Sequence, residues 1–266
     1  MTESIFGRAL EALLSACPDE KVSLTQALSE DWLAGRLAVV SDDLPRPVAE
    51  AGRPEAPLLV PAQDVPRRRV GSRDGHAALL HAIAHIEFNA INLALDCVFR
   101  FRGLPEGFYA GWVRVAAEEA YHFGLIRARL RALGYEYGSF PAHNGLWEMT
   151  VKTAHDPLAR MALVPRVLEA RGLDATPLIM DKLRSIGDLE SVAVLEIILR
   201  DEVGHVALGD FWFRHFCGQA GLEPESAYLA LIEQFAAPWP NPPLHVEARL
   251  EAGFSEVEIA RLSRPR

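Results

Sequence analysis

The sequence predicts an all-α protein, and three observations carry that prediction. From Asp74 onward, apolar residues recur at steps of three and four almost without a gap. The interruptions carry helix start and stop residues. No stretch alternates apolar and polar residues as a half-buried strand would. The chain has 266 residues, half of them hydrophobic, which is ample for a core. Its mean hydropathy of +0.06 excludes a disordered polar chain. With 27 Lys and Arg against 36 Asp and Glu, the net charge is −9. That balance disfavours non-specific binding to nucleic acid or to anionic membranes. The three cysteines, Cys17, Cys97 and Cys217, are widely spaced and odd in number, so the expectation is a reducing, cytoplasmic setting with no disulfide framework.

Residues 3–36 read as two short helices. Ile5 to Cys17 is amphipathic, with Ile5, Ala9, Leu10, Leu13 and Leu14 on one side; the second helix runs from about Ser23 to Leu33. Leu14-Ser-Ala-Cys17 has the look of a lipoprotein cleavage box, but Glu3 and Glu11 interrupt the basic start and apolar run that such a leader needs. Six prolines between Asp42 and Pro66 predict an extended connector. It ends in the basic cluster Arg67–Arg73, read as a solvated arm against an acidic body, with a nucleic-acid contact as the alternative.

The first long helix starts at a cap on Ser72 or Asp74 and runs to about Arg102, before Gly103-Leu-Pro105. His81, His85, Glu87, Asn89, Asn92 and Asp96 give it too heavy a polar load for a bilayer span. The second runs from Pro105 to Leu133, and a short helix is expected around Trp147. Asp156-Pro157 opens the third, which passes Pro165 to Gly172 and resumes from Pro177 to Ile186. The fourth runs from Asp188 to about Gly218. A helix from Glu225 to Ala236, a Pro-Trp-Pro-Asn-Pro-Pro243 tail anchored by Trp239, and a capping box at Ser255-x-x-Glu258 complete the chain. This divides it into 1–73 (N-terminal helices and connector), 74–219 (four long helices) and 220–266 (C-terminal helix and tail).

Each long helix carries an acid within its apolar stripe: Glu87, Glu119, Glu169 and Glu202. Four buried carboxylates carry a charge of −4 on stripes that offer no Lys or Arg, and two divalent cations would neutralise them. Glu119-Ala-Tyr-His122 and Glu202-Val-Gly-His205 both set an imidazole one turn from the acid. Glu87 precedes the first motif by 32 residues and Glu169 precedes the second by 33. Counted from the expected helix starts, all four acids stand at one height, roughly 20 Å along at 1.5 Å per residue. The halves therefore read as a repeated helical hairpin. To reach that height, the third helix must continue through 177–186 after a break.

This pattern resembles the ferritin-like di-iron carboxylate bundle, in which two helices each give a Glu and two give Glu-x-x-His. More closely, His-Ala-Ile-Ala-His-Ile-Glu87, Leu-Glu169-Ala-Arg-Gly-Leu-Asp-Ala-Thr-Pro177, Arg-Asp-Glu202-Val-Gly-His205 and Val-Glu-Ala-Arg-Leu-Glu-Ala-Gly-Phe254 resemble the bacterial ferritin-like family known as domain of unknown function 455. The resemblance implies a ferritin-like four-helix bundle with metal ligands Glu87, Glu119, His122, Glu169, Glu202 and His205. It further implies that Glu118 and Asp201, each just before a motif glutamate, hold a ligand histidine from behind.

His81 and His85 lie on a different face of their helix from Glu87 and read as packing or capping groups. Tyr121 points about 200° away from Glu119, and Trp112 reads as core. Such ligands suit two iron ions per chain, with manganese the alternative. The functional expectation is a non-haem di-iron oxidoreductase activating O₂ or peroxide toward a small-molecule or RNA substrate. No nicotinamide or flavin fingerprint is visible, so its electrons come from an external donor. The alternatives are a ferroxidase or iron-handling protein, a tRNA-hydroxylase-like enzyme, or a non-catalytic binding bundle, each as a monomer or homo-oligomer and none at a membrane. Gly172, Gly204 and Gly209 are unusual within strong helices. Gly209 is expected to border a substrate pocket and Gly204 to permit close helix contact.

Overall fold

The computed structural model describes residues 3–40 and 44–264, so the connector's first residues, including Asp42, lie outside the described ones. Nearly all regular structure among them is helical, and the chain divides into two compact units, Met1–Val151 and Lys152–Arg266.

In the first unit, β1 (Glu3–Ser4) leads into α1 (Ile5–Leu14), followed by α2 (Pro18–Leu33) and β2 (Leu37–Ala38). β1 and β2 pair in parallel over two residues each, too short to leave any alternation in the sequence. α2 starts five residues before the expected Ser23. Pro18 occupies its first turn with Asp19 and Glu20 behind it, so the start is specified by proline and charge rather than by apolar spacing. Lys21 is fully buried, and its ammonium donates to Ala12 O at 2.9 Å and Leu13 O at 2.7 Å, carbonyls of the last turn of α1. Burial pushes its pKa down to about 7.

The core of this unit is α3 (Arg73–Arg100) against α4 (Glu106–Ala132), with α1 packed on α3 and α2 on α4. Ser72 caps α3 by accepting from Gly75 N, the first of the two expected caps. α3 is long and apolar enough to cross a membrane by length and composition, but 78% of that stretch is buried inside the protein, as befits a core helix. The helix expected around Trp147 is α5 (Gly145–Lys152).

The connector is pinned along its length. Gly52 N donates to Leu13 O, and a Cβ at Gly52 would lie 2.2 Å from Leu14 O, so only glycine fits this crossing. Trp147 Nε1 donates to Ala49 O at 2.9 Å, and Leu58–Val60 bonds on both sides of Ala142. Two arginines of the basic cluster lie on rings of the same unit, Arg68 over Phe140 and Arg73 over Tyr135.

The second unit begins with α6 (Pro157–Leu163), capped by Asp156. It passes through a π-helical segment, Val164–Glu169, and continues as α7 (Ala170–Ser185). The third long helix thus has its irregularity at Pro165, not in the expected interval between Gly172 and Pro177. Pro177 lies inside an unbroken α7. The widened turn is where Ala170 N reaches back to Pro165 O. α8 (Leu189–Ala220) is capped by Asp188 and ends on Gly221 in the left-handed conformation. α9 (Pro224–Gln234), α10 (Val246–Glu251) and α11 (Glu256–Leu262) follow, the last with the expected Ser255/Glu258 capping box. Trp239 donates to Arg264 O and lies under Arg261, fastening the tail to its own C-terminal helix.

A buried ionic network joins this tail to the π-helical segment. Arg166, fully buried, pairs with Asp210 of α8 at 2.9 Å and with Glu258 of α11, and its guanidinium lies 4.1 Å from the Tyr228 ring centre. Tyr228 Oη donates back to Arg166 O at 2.8 Å. Arg249 grips Asp174 of α7 through two bonds, at 2.6 and 2.9 Å.

In the first unit, His81 of α3 accepts from Gly138 N through Nε2 at 2.9 Å, which requires that nitrogen to be unprotonated. Burial, then the neighbouring His85, lowers its pKa to about 4. An unfolded chain takes up that proton near pH 6.5, whereas the folded chain resists it until about pH 4. The contribution of neutral His81, about 3 kcal/mol, is therefore fully present above pH 6.5 and lost as pH falls toward 4. Urea unfolding between pH 7 and 4.5 should show that decline. His81→Gln keeps an acceptor and removes the titration, so it should shed about 1.4 kcal/mol per pH unit of the slope.

Candidate metal centre

The first unit brings three of the expected ligands together. Glu87 lies midway along α3, and Glu119 and His122 stand one turn apart on the facing side of α4. His122 Nδ1 lies 3.4 Å from Glu87 Oε2 and 3.5 Å from Glu119 Oε2. One ligand atom of each of the three is within 4.8 Å of the other two. Glu119 and His122 are fully buried and Glu87 is 3% exposed. Ligands bound about 2.1 Å from one cation stand roughly 3.0–3.4 Å apart, so these separations fit a shared ion. Burial disfavours the charged imidazole of His122. The hydrogen bonds and charges of Glu119 and Glu87 outweigh it, and the pKa is raised to about 11. The two carboxylates thus draw a positive charge to this point, and any cation bound here would have to displace the His122 proton.

The second unit repeats part of the pattern. Glu202 and His205 are one turn apart on α8 and both buried, with His205 Nδ1 3.7 Å from Glu202 Oε1. Glu169 is the last residue of the π-helical segment and is also buried. Its backbone is held by the ionic network described above, because Arg166 sits three residues upstream and the Ala170 carbonyl accepts from Arg249 at 3.3 Å.

Glu118 accepts two bonds from Arg114, both at 3.1 Å, one turn back on α4. Asp201 accepts from Arg200 Nε at 2.9 Å. Tyr121 is half exposed, on the side of α4 away from the ligands, and Trp112 is buried in the core, both as expected.

A family model described as "Protein of unknown function (DUF455)" matches residues 14–260. The chain belongs to this family. It is 45% identical over 258 residues to an uncharacterized protein of Haemophilus influenzae, covering 93% of this chain and 90% of that one. No solved structure matches.

Within this DUF455 protein the small residues act differently from what their spacing predicts. A Cβ at Gly209 would lie 2.3 Å from Cβ and Cγ of Pro165, so the α8 backbone rests directly on the proline in the first turn of the π-helical segment. This buried contact gives Gly209 a helix-packing role. Gly204, expected at a close helix contact, has open space where a Cβ would stand, as does Gly172. The contact also separates two parts of Pro165's role: its ring seats α8, while its carbonyl accepts from Ala170 N. Gly209→Ala should therefore cost about 2 kcal/mol through overpacking, despite alanine's better helix propensity. Gly204→Ala should be neutral or stabilising. Urea midpoints of the two variants compare them directly.

Proposed function

We propose that the chain is a ferritin-like helical protein that holds two redox metal ions, ligated by Glu87, Glu119, His122, Glu169, Glu202 and His205, and that it works as a non-haem oxidoreductase. The observation that carries this reading is the buried meeting of Glu87, Glu119 and His122, with separations suited to one cation. The repetition of Glu-x-x-His in the second unit, with an upstream buried Glu169, supports a second ion held by an equivalent set.

The donors are oxygen-rich with one imidazole per half, which suits iron or manganese better than zinc. When bound, such a pair would carry electrons from an external donor to O₂ or a peroxide. The protein's own part is to exclude bulk water and to keep the carboxylates ionised in a buried setting. The neighbouring glutamates fix each ring, and a bound cation would take the place of the His122 proton. Six side-chain ligands shared by two ions leave coordination positions for exogenous groups. Glu118 and Asp201 are assigned the role of orienting ligand histidines from behind.

Replacing Glu119 with Ala should abolish metal binding while leaving the far-ultraviolet circular dichroism helical, since the surrounding stripe is ordinary apolar core. Metal content and the iron- and manganese-edge anomalous signals of aerobically purified wild-type protein identify the ions. Full metal content in the Glu119 variant would remove the site from this place. A wild-type protein running as a very large, iron-loaded species on gel filtration would point to storage instead of catalysis.

A further inference from the structure

α3 has a second polar stripe, on the side away from Glu87. His81, His85, Asn89, Asn92 and Asp96 follow one another at steps of three and four, and all are buried. His81 and Asp96 are accounted for by Gly138 and Arg100. The middle of the stripe borders a small, partly enclosed cavity of about 40 Å³ inside the first unit, which opens to solvent on the connector side. The connector forms its outer wall through Glu50, Arg53, Pro57 and Leu59, and Phe88, Tyr137 and Trp147 supply aromatic sides.

The polar groups are arranged with acceptors inside and a cation at the rim. His85 Nε2 lies 3.0 Å from His143 O and must donate to it, so His85 Nδ1 accepts from Tyr137 Oη at 2.9 Å. Tyr137 therefore spends its proton on His85 and has only oxygen lone pairs left to offer. Asn92 is 2% exposed, and its Oδ1 is a buried acceptor with no hydrogen-bond partner among the described residues. An amide oxygen left so is costly, and a ligand donor would recover that cost. Arg53 is exposed on the connector, borders the same cavity, and donates to Pro54 O across a long 3.3 Å bond.

We propose that this cavity binds a small hydroxycarboxylate, its hydroxyl donating to Asn92 Oδ1 and its carboxylate paired with Arg53 at the mouth. A neutral hydroxyl suits the interior better than an ammonium, because the inner groups (two amides, a neutral imidazole and a phenol) offer no charge to balance one. The cavity is independent of the metal reading: Asn89 and His85 stand two residues either side of Glu87, about 200° around the helix.

The test uses the full chain and isothermal titration with glycolate, lactate and malate, set against their unsubstituted counterparts acetate, propionate and succinate. At least one hydroxy acid should bind at least tenfold tighter than its counterpart. Arg53→Ala lies on the exposed connector and should weaken that binding about tenfold; Asn92→Leu should do the same and remove the preference for the hydroxyl. Asn92→Asp, of nearly equal volume, is the substitute if the leucine variant does not fold, and it should repel the acid. Absence of binding by all three hydroxy acids up to about 10 mM would overturn the proposal. Equal affinity for the unsubstituted acids, or binding indifferent to Arg53→Ala, would overturn it as well. Metal content should be unchanged in both variants, so a failed titration leaves the metal reading standing.

Discussion

A carboxylate buried in an apolar core stays ionised only where positive charge is brought to it, and the way this chain meets that requirement organises both units. In the second unit the charge is covalent to the chain. Arg166 serves Asp210 and Glu258, and Arg249 serves Asp174, so α7, α8, α10, α11 and the π-helical segment are tied through guanidinium groups. In the first unit, Glu87 and Glu119 share an imidazole, which can take or give up its charge. An arginine fixes a carboxylate for good, whereas a histidine can surrender its place to a metal ion. The division of labour between permanent and exchangeable partners is what separates scaffold from site.

The scaffold half of that division explains the tail. A π-helical turn widens the helix and would be a weak point if it stood alone. Here its second residue is a proline pressed against Gly209, and Tyr228 reaches the Arg166 carbonyl. The Arg166 side chain is then clamped between acids and aromatic rings. Residues far along the chain thereby hold in place the backbone that presents Glu169. Removing only one member of such a network leaves an opposing charge buried, which is why its members are tied so closely together.

The repeated motif was readable because two independent constraints coincide in it. Helical spacing sets Glu and His one turn apart, and apolar neighbours mark the face as buried; Glu119 and His122 satisfy both, and the structure places them with Glu87 as that logic requires. Caps were readable for a similar reason, since Ser72, Asp156, Asp188 and Ser255 each act within three residues of their own position. What lay beyond the sequence was set by distant partners. The π-helical turn is one case, because Pro165 looks like an ordinary helix irregularity until Gly209 is seen against it. Gly204 and Gly209 look alike in sequence, and only their neighbours distinguish open space from direct contact. The pairing of β1 with β2 is too short to leave a period at all.

α3 shows most clearly why period alone does not tell which polar residues matter. A helix covered on every side has no solvent face to mark its direction, so each buried polar group must be explained by what meets it. Glu87 is met from α4 by His122. On the other side, His81 and His85 are met by the loop around Tyr137 and His143, and Asp96 is met by Arg100 on the next turn of the same helix. The connector, with its many prolines and little regular structure, becomes a wall for that second face once Gly52, Ala49 and Leu59 are pinned to the body. A segment that composition alone marks as a spacer thus supplies both the enclosure and the one guanidinium at the rim of a cavity lined by core polar groups. The two faces of α3 therefore differ in kind: on one, Glu87 meets a histidine it can charge; on the other stand neutral groups, among them the Asn92 amide oxygen.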